Sequence, residues 1–415
     1  MITDQEKPLT GQDSPLVQLS GYFQMDLGLG HNVRLMAKVL QNSKIPFGYK
    51  NYTKAGPHRA TRPWVEDDSV ADHAPIHICG VNMDNLLPFW KDHPEMFVKN
   101  RYLVGIWFWE VPIIPKQYLK SIEAVDEIWV PTEYMRDIFM MHCDKPVYCY
   151  PQPIISKKLE RPICSERESF RFYFSFDFCS VLRRKNPDGL IRAFLGAFPV
   201  PGSAELLVKS VNGHLYPSEL SGLRKMIDEA PHVHWIDGHL PQDDLQRLLE
   251  NVDGYVSLHR SEGYGLTIAE AMASGKPVLA TGHSGNMTFM NESNSFPVPF
   301  TLVPVGPGSQ PYPAEALWAE PDEETAAELM LQIVSDRNLR EKKVARATSD
   351  IHNRYSMEAC SDWVSNRVNL IVNAMTQKDS QPGVTWPPRN ERPCYSPTCI
   401  SGHKKFKRIM RWFRI

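Results

Sequence analysis

Nine short apolar runs punctuate this chain, and segments with helical spacing fill the gaps between most of them. The runs are PIHICGV (75–81), RYLVGIWFW (101–109), DEIWVP (126–131), PVYCYP (146–151), RFYFSFDF (171–178), ELLVKSV (205–211), HVHWID (232–237), GYVSLH (254–259) and KPVLAT (276–281). Around them lie HNVRLMAKVLQNS, PTEYMRDIFMMH, DGLIRAFLGAF and GLTIAEAMASG, each apolar on one helical face. Such runs read as strands, and helices between them act as crossovers that keep the strands parallel. Nine strands are many for one sheet, so two sheets of four to seven are expected. A length of 415 residues also exceeds what one core usually serves. The expected class is therefore α/β, with two Rossmann-like, doubly wound domains.

A charged, turn-rich stretch, KKLERPICSERES (157–169), separates two strand patterns and marks the expected boundary. It divides an N-terminal domain, 1–165, from a C-terminal domain, 166–377. Residues 378–402 are rich in Pro, Ser and charge and read as a linker. The final segment, 403–415, ends in KKFKRIMRWFRI, with six basic residues and no acidic one. Phe406, Ile409, Met410 and Phe413 fall on one helical face, with Lys404, Arg408 and Arg411 on the other. That pattern suits an anionic membrane surface, and equally a tail packed on the protein. If it anchors, deleting 403–415 is expected to reduce liposome binding; equal binding rejects the anchor.

Apolar residues make up 42% of the chain and charged residues 23%, with a formal net charge of −2. Nothing in that balance draws the protein to nucleic acid, so any anion site must be local. The opening MITDQEKPLTGQDSPL lacks the basic start and apolar run of a signal peptide, and no stretch of 18 apolar residues occurs. Eight scattered cysteines without C-x2-C pairs argue for reduced thiols. A cytoplasmic protein is expected, peripheral on the inner face of the membrane if the tail binds it.

The chemistry concentrates in HRSEGYGLTIAEAMASGKPVLAT, which starts where the 254–259 strand ends. A glycine turn leads into a helix from about Leu266 to Ser274, with Gly275 placed as its terminating residue. In α/β sheets ligands sit beyond the carboxyl ends of strands, and a helix starting there offers free N–H groups to an anion. Gly263 and Gly265 let oxygens approach those amides. Glu262 precedes the helix and Glu270 lies about a turn inside it, a separation suited to two parts of one extended ligand. The plainer alternative makes Glu262 a cap and Glu270 a surface charge. His259 stands at the strand end beside Arg260, and His283 lies in the loop after the next strand. The run RRK (183–185) opens a helical pattern, where positive charge opposes the helix dipole, so a bound anion accounts for it better.

The segment EGYGLTIAEAMASGKPV resembles the E-x7-E motif of retaining glycosyltransferases of the GT-B fold, family 4, typically E-G-F-G-L-x-x-x-E-A-M-A-x-G-x-P-V. The resemblance extends to SGYFQMDLGLGHNVRLMAKVL, SFDFCSVLRRKNPDGLIRAFLGAF, LWAEPDEETAAELM and RYSMEACSDWVSNRV, roughly residues 20–370. It implies that Glu270 holds the ribose of a nucleotide diphosphate and Glu262 the donor sugar. The amides of Gly263, Tyr264, Gly265 and Leu266 would meet sugar and diphosphate. The family lysine matches Lys185. The family arginine falls where this chain has Cys179, so Arg184 is the expected substitute, with Ser180 as a hydrogen-bond donor. Gly30, or Arg34, of the glycine loop would face the diphosphate. Relatives carry a histidine near 110; Glu110 is its expected replacement here. Trp107 and Trp109 are either a sugar platform or core, and Asn82 and Asp84 are candidate acceptor contacts.

The resemblance implies transfer of a sugar from a nucleotide-diphosphate donor, GDP-mannose first, to a glycan or lipid-linked saccharide acceptor. The nucleotide sugar is a substrate, and no resident cofactor is expected. No D-x-D sequence occurs, so the reaction is expected to be metal-independent, with basic residues and a helix terminus stabilising the leaving diphosphate. The alternatives are a GT-B nucleotide-sugar epimerase and a non-catalytic sugar-binding module.

Overall fold

A computed structural model describes residues 15–54, 56, 70–71, 73–98, 100–155 and 169–380. The expected boundary stretch (all but Ser169), the linker beyond Ser380 and the basic tail lie outside the described residues. Two six-stranded sheets, both wholly parallel, form the frame.

The first sheet contains β1 (Val17–Gly21), β2 (Phe47–Asn51), β3 (Ile76–Cys79), β4 (Tyr102–Ile106), β5 (Glu127–Val130) and β6 (Val147–Cys149), in the order β2-β1-β3-β4-β5-β6. The second contains β7 (Phe170–Asp177), β8 (Ala204–Val211), β9 (Val233–Asp237), β10 (Gly254–Ser257), β11 (Val278–Thr281) and β12 (Phe296–Val298). Their order is β12-β11-β10-β7-β8-β9. Both orders reverse direction about an early strand, the doubly wound arrangement expected. An antiparallel pair, β13 (Phe300–Pro304) and β14 (Leu317–Pro321), projects from the second domain.

The two periodicities decide which face each residue takes. Along β7, Phe172, Phe174 and Phe176 enter one core, while Tyr173 joins another on the opposite face. In the helix Gly28–Asn42, Val33, Met36, Ala37 and Leu40 repeat at i, i+3, i+4 and i+7, and all are buried. Thr132 caps the helix Glu133–His142 by accepting from the Met135 N–H at 3.2 Å.

The last helix, Met357–Ser380, crosses back to the first domain. Cys360, Val364, Val368 and Ile371 join the core beneath the helix Gly28–Asn42. Arg367 reaches the fully buried Glu127 on β5, with Nε to Oε1 at 3.0 Å and a second contact to Oε2. The hydroxyl of Tyr102 and the indole N–H of Trp129 also donate to this carboxylate, at 2.8 and 2.6 Å. A buried carboxylate needs such partners; removing one charge of a buried pair typically costs about 3–5 kcal/mol. The helix Met357–Ser380 thus ties the second domain's chain to the first sheet. No helix of the described residues is long and apolar enough to cross a membrane.

Candidate functional site

The site forms where the carboxyl end of β10 meets the first domain. The chain runs from β10 through His259–Gly265 into the helix Leu266–Ala273. Gly265 has φ +84°, a left-handed conformation that suits glycine, and Gly275 closes the helix at φ +73°. A second loop, Gly282–Asn286, presses against the first. A Cβ on Gly285 would lie 1.9 Å from the Gly263 carbonyl oxygen, so only glycine fits. The Gly285 N–H donates to the Glu262 carbonyl at 2.9 Å, and Ser284 Oγ accepts from the Glu262 N–H at 2.8 Å.

Glu262 is the centre of charge. Lys185 Nζ lies 2.5 Å from its Oε1 and Arg184 Nη1 lies 3.3 Å from Oε2. Burial alone would raise this carboxyl's pKa, but Lys185 and Arg184 outweigh it and hold the value at about 2. Burial pulls the Lys185 ammonium below its usual range despite Glu262. Arg184, 5% exposed, also donates to the carbonyls of Ser261 (2.8 Å) and Ser180 (3.2 Å). The long helix that the basic run was expected to open begins only at Pro187. RRK instead occupies a one-turn helix, Leu182–Lys185, bracketed by the left-handed residues Val181 (φ 61°) and Asn186 (φ 53°). A β-branched residue in that region is strained, and the turn it makes aims both cations at Glu262. Ser180 meets Arg184 through its carbonyl.

Glu110 comes to the same place from the first domain. The methylene of its side chain lies 3.7 Å from where a Cβ on Gly263 would sit. Ser261 Oγ donates to the Glu110 carbonyl, and Tyr312 Oη donates to Glu110 Oε2 at 2.8 Å. Thr132 Oγ1 donates to the Gly263 carbonyl at 3.1 Å, a further link across the domains. Tyr312 belongs to the segment joining β13 to β14. Nothing in the sequence singled it out, because one tyrosine in a Pro- and Gly-rich stretch carries no periodic signal.

Glu270 stands apart from this charge cluster. It lines a pocket with Tyr173, Ser175, Leu249, Tyr255 and Thr267. Burial raises its pKa to about 7. Leu266 opens the helix, half-buried, while the Tyr264 side chain is buried against Phe289 and Tyr355 and donates to the Gln152 carbonyl at 3.3 Å. Only the backbone of Tyr264 is therefore free to meet a ligand.

Several expected contacts take other roles. His259 is fully buried, with its nitrogens engaged by Ser257 (3.1 Å) and Asn286 (3.1 Å), and burial lowers its pKa to about 4. It braces the loop from behind. Gly30 packs against its own loop, since a Cβ there would meet the carbonyls of Met25 (2.4 Å) and Tyr22 (2.6 Å); the glycine with open space is Gly28. Arg34 pins that loop through the Phe23 and Met25 carbonyls, at 2.7 and 3.1 Å. Trp107 and Trp109 are core residues, 0% and 2% exposed, donating to the carbonyls of Val81 and Ile113. His283 is buried with neither ring nitrogen partnered among the described residues, and burial lowers its pKa to about 3.

Residues 180–350 match the family model described as Glycosyl transferases group 1. No curated protein matches the sequence. Among solved structures, the chain is similar to TarM, with 18% identity and a TM-score of 0.52, covering 71% of this chain and 54% of TarM. It thus spans about half the length of that structure. It is also similar to Anabaena HepE in complex with UDP and glucose, with 13% identity and a TM-score of 0.60, covering 86% of this chain and 100% of the other. Sucrose-phosphate synthase from Thermosynechococcus elongatus gives 15% identity and a TM-score of 0.61, covering 86% and 99%. These likenesses establish the two-domain GT-B architecture. Within that fold, residues 180–350 are similar to the Glycosyl transferases group 1 family.

Proposed function

We propose that the protein is a retaining glycosyltransferase that moves a sugar from a nucleoside diphosphate to a hydroxyl of a saccharide acceptor. The observation that carries this reading is the placement of Glu262 between Lys185 and Arg184 at the mouth of the helix Leu266–Ala273. The two cations face a carboxylate. A donor's diphosphate can replace it, because its oxygens meet the same cations and the free amides at the helix start. Glu262 then turns to the sugar hydroxyls.

As the bond from sugar to phosphate breaks, negative charge grows on the leaving diphosphate. Lys185 and Arg184 are held by their neighbours where that charge develops, so they stabilise the transition state more than the bound donor. The same role can be filled by a metal; here we assign it to the two side chains. The acceptor hydroxyl attacks from the face the diphosphate leaves, and a departing phosphate oxygen takes its proton. Glu270 receives the ribose hydroxyls in its pocket.

HepE was solved with UDP and glucose, which brings uridine donors beside GDP-mannose as candidates. A thermal-shift screen of GDP, UDP and dTDP sugars tests the reading. Ligand at 100 times its Kd stabilises by about 2.7 kcal/mol, so one nucleotide class should raise the Tm clearly. No shift with any of them refutes donor binding.

A further inference from the structure

The chain between β13 and β14 forms a strap, 305–316, fastened to the turn that carries the cations. Its two ends are zipped together: the Val305 N–H donates to the Ala316 carbonyl at 2.8 Å and the Gly306 N–H to the Ala314 carbonyl at 2.9 Å. Arg183 Nη1 donates to the Pro307 carbonyl at 2.8 Å and to Ser309 Oγ at 3.2 Å, and its guanidinium lies 5.5 Å from the centre of the Trp318 ring. Arg260 grips Glu320 with two hydrogen bonds, at 2.7 and 2.8 Å, while its own N–H donates to the Arg184 carbonyl at 2.7 Å. The strap is therefore held in register with Arg184.

Tyr312, 8% exposed, sits on this strap with its ring edge-on to Trp109 at 5.3 Å, and its hydroxyl donates to Glu110 Oε2 at 2.8 Å. Among the described residues this is the only hydrogen bond to the Glu110 carboxylate. The Glu110 backbone is held separately, because its carbonyl accepts from Tyr134 Oη at 3.0 Å and from Ser261 Oγ. Loss of the Tyr312 bond would leave the side chain alone free to turn. Arg184 and Lys185 both feel the Glu110 charge. Yet both pair with Glu262, and among the described residues neither pairs with Glu110. A carboxylate beside two cations ordinarily bonds to them, since charge-assisted hydrogen bonds are the stronger kind. Here a neutral phenol holds it aside.

We propose that Tyr312 is a positioning residue that keeps Glu110 off Arg184, so that an incoming diphosphate has one carboxylate, Glu262, to displace instead of two. The inference rests on the transferase reading above. Without the hydroxyl, Glu110 turns to Arg184 and competes for its N–H groups with the sugar-bearing phosphate. A nucleoside monophosphate lacks that phosphate and does not meet this competition.

The test is calorimetric titration of the full chain with UDP, GDP and dTDP, and with the matching monophosphates, at one salt concentration. Tyr312→Phe removes the hydroxyl and keeps the ring, and its Tm reports the fold. It is expected to raise the Kd of whichever diphosphate binds the wild type about tenfold, the effect of one hydrogen bond to a charged group, and to leave the monophosphate Kd within about twofold. Adding Glu110→Gln to Tyr312→Phe should restore the diphosphate Kd, because the amide carries no charge to compete. Glu110→Gln alone should change it less than about twofold, since the wild type already holds Glu110 aside. A wild-type Kd in Tyr312→Phe, an equal loss for monophosphate and diphosphate, or a loss that Glu110→Gln does not recover would each overturn the proposal. A tenfold tightening by Glu110→Gln alone would also overturn it, whether or not Tyr312→Phe folds. A wild-type protein that binds none of the three diphosphates refutes the transferase reading, and the proposal with it.

Discussion

Lys185→Ala is expected to lower the turnover number by about 10²–10³, the usual effect of removing one preorganised donor from a developing negative charge. The donor to use is the nucleotide sugar that the thermal screen identifies. Lys185 sits 2.5 Å from Glu262, closer than Arg184 at 3.3 Å, and both face one point at the helix mouth. Charge on the diphosphate is larger in the transition state than in the bound donor. The fall in kcat should therefore exceed the rise in the Kd of the nucleoside diphosphate. Glu262→Gln should separate the two roles in the opposite way. It leaves both cations unpaired, so diphosphate binding is kept or tightened while transfer falls. The acid limb of stability offers a second readout. Glu262, held at about 2, contributes stability above its unfolded value near 4.5 and loses it as pH falls from there toward 2. Without Lys185 its pKa rises toward 4.5, so the acid-induced loss between 4.5 and 2 shrinks. A Lys185→Ala enzyme with wild-type kcat would remove Lys185 from the mechanism.

The frame was legible because parallel strands buried on both faces leave continuous apolar runs. Every such run named in the sequence became a strand. The two sheet members missed on the first domain's side, β1 and β2, are VQLSG and FGYKN, in which Gln18, Ser20 and Lys50 interrupt the run. Gln18 and Ser20 are nevertheless fully buried, and Gln18 Oε1 accepts from the Ala71 N–H at 2.7 Å, a long-range partner that local sequence cannot announce. The E-x7-E segment was legible for a different reason: glycines at a strand end before a helix have few other uses. Gly265 and Gly275 do adopt the left-handed conformations that their positions implied. Side-chain direction was not legible. His259 and Tyr264 look like ligand contacts in a list of residues, yet their rings point into the core. Gly28 and Gly30 are indistinguishable in GLG, and only the packing of Gly30 on its own loop tells them apart. Tyr312 lies 202 residues from Glu110, so their pairing depends wholly on how the domains meet.

Glu270→Gln is expected to make the ligand-free protein more stable at pH 8 and its nucleotide binding weaker. Burial in the pocket of Tyr173, Leu249, Val252 and Tyr255 raises the Glu270 pKa to about 7. The unfolded chain holds the same proton with a pKa near 4.5. Between those values the folded state binds a proton that the unfolded state does not, so stability falls as pH rises from about 4.5 to 7. Above 7 the whole penalty applies, on the order of 3 kcal/mol at 1.36 kcal/mol per unit. Glutamine cannot ionise, so the variant's stability should be flat across that window while the wild type declines. In the proposed function, ribose hydroxyls would supply what the pocket withholds by donating to the ionised carboxylate. Losing charge-assisted hydrogen bonds of that kind should raise the nucleotide Kd about 10- to 100-fold at pH 8. Binding to the wild type should also tighten as pH rises through 7, and binding to the variant should not. Calorimetric unfolding at pH 5, 6, 7 and 8, with titration of the nucleotide at each pH, measures both effects. Parallel stability curves for the two proteins would show that Glu270 is already compensated in the free enzyme. Parallel affinity curves would remove it from the ribose site. A chain that keeps a half-buried carboxylate with no ion-pair partner among the described residues accepts lower stability at neutral pH, and the proposed ribose hydroxyls would account for its presence.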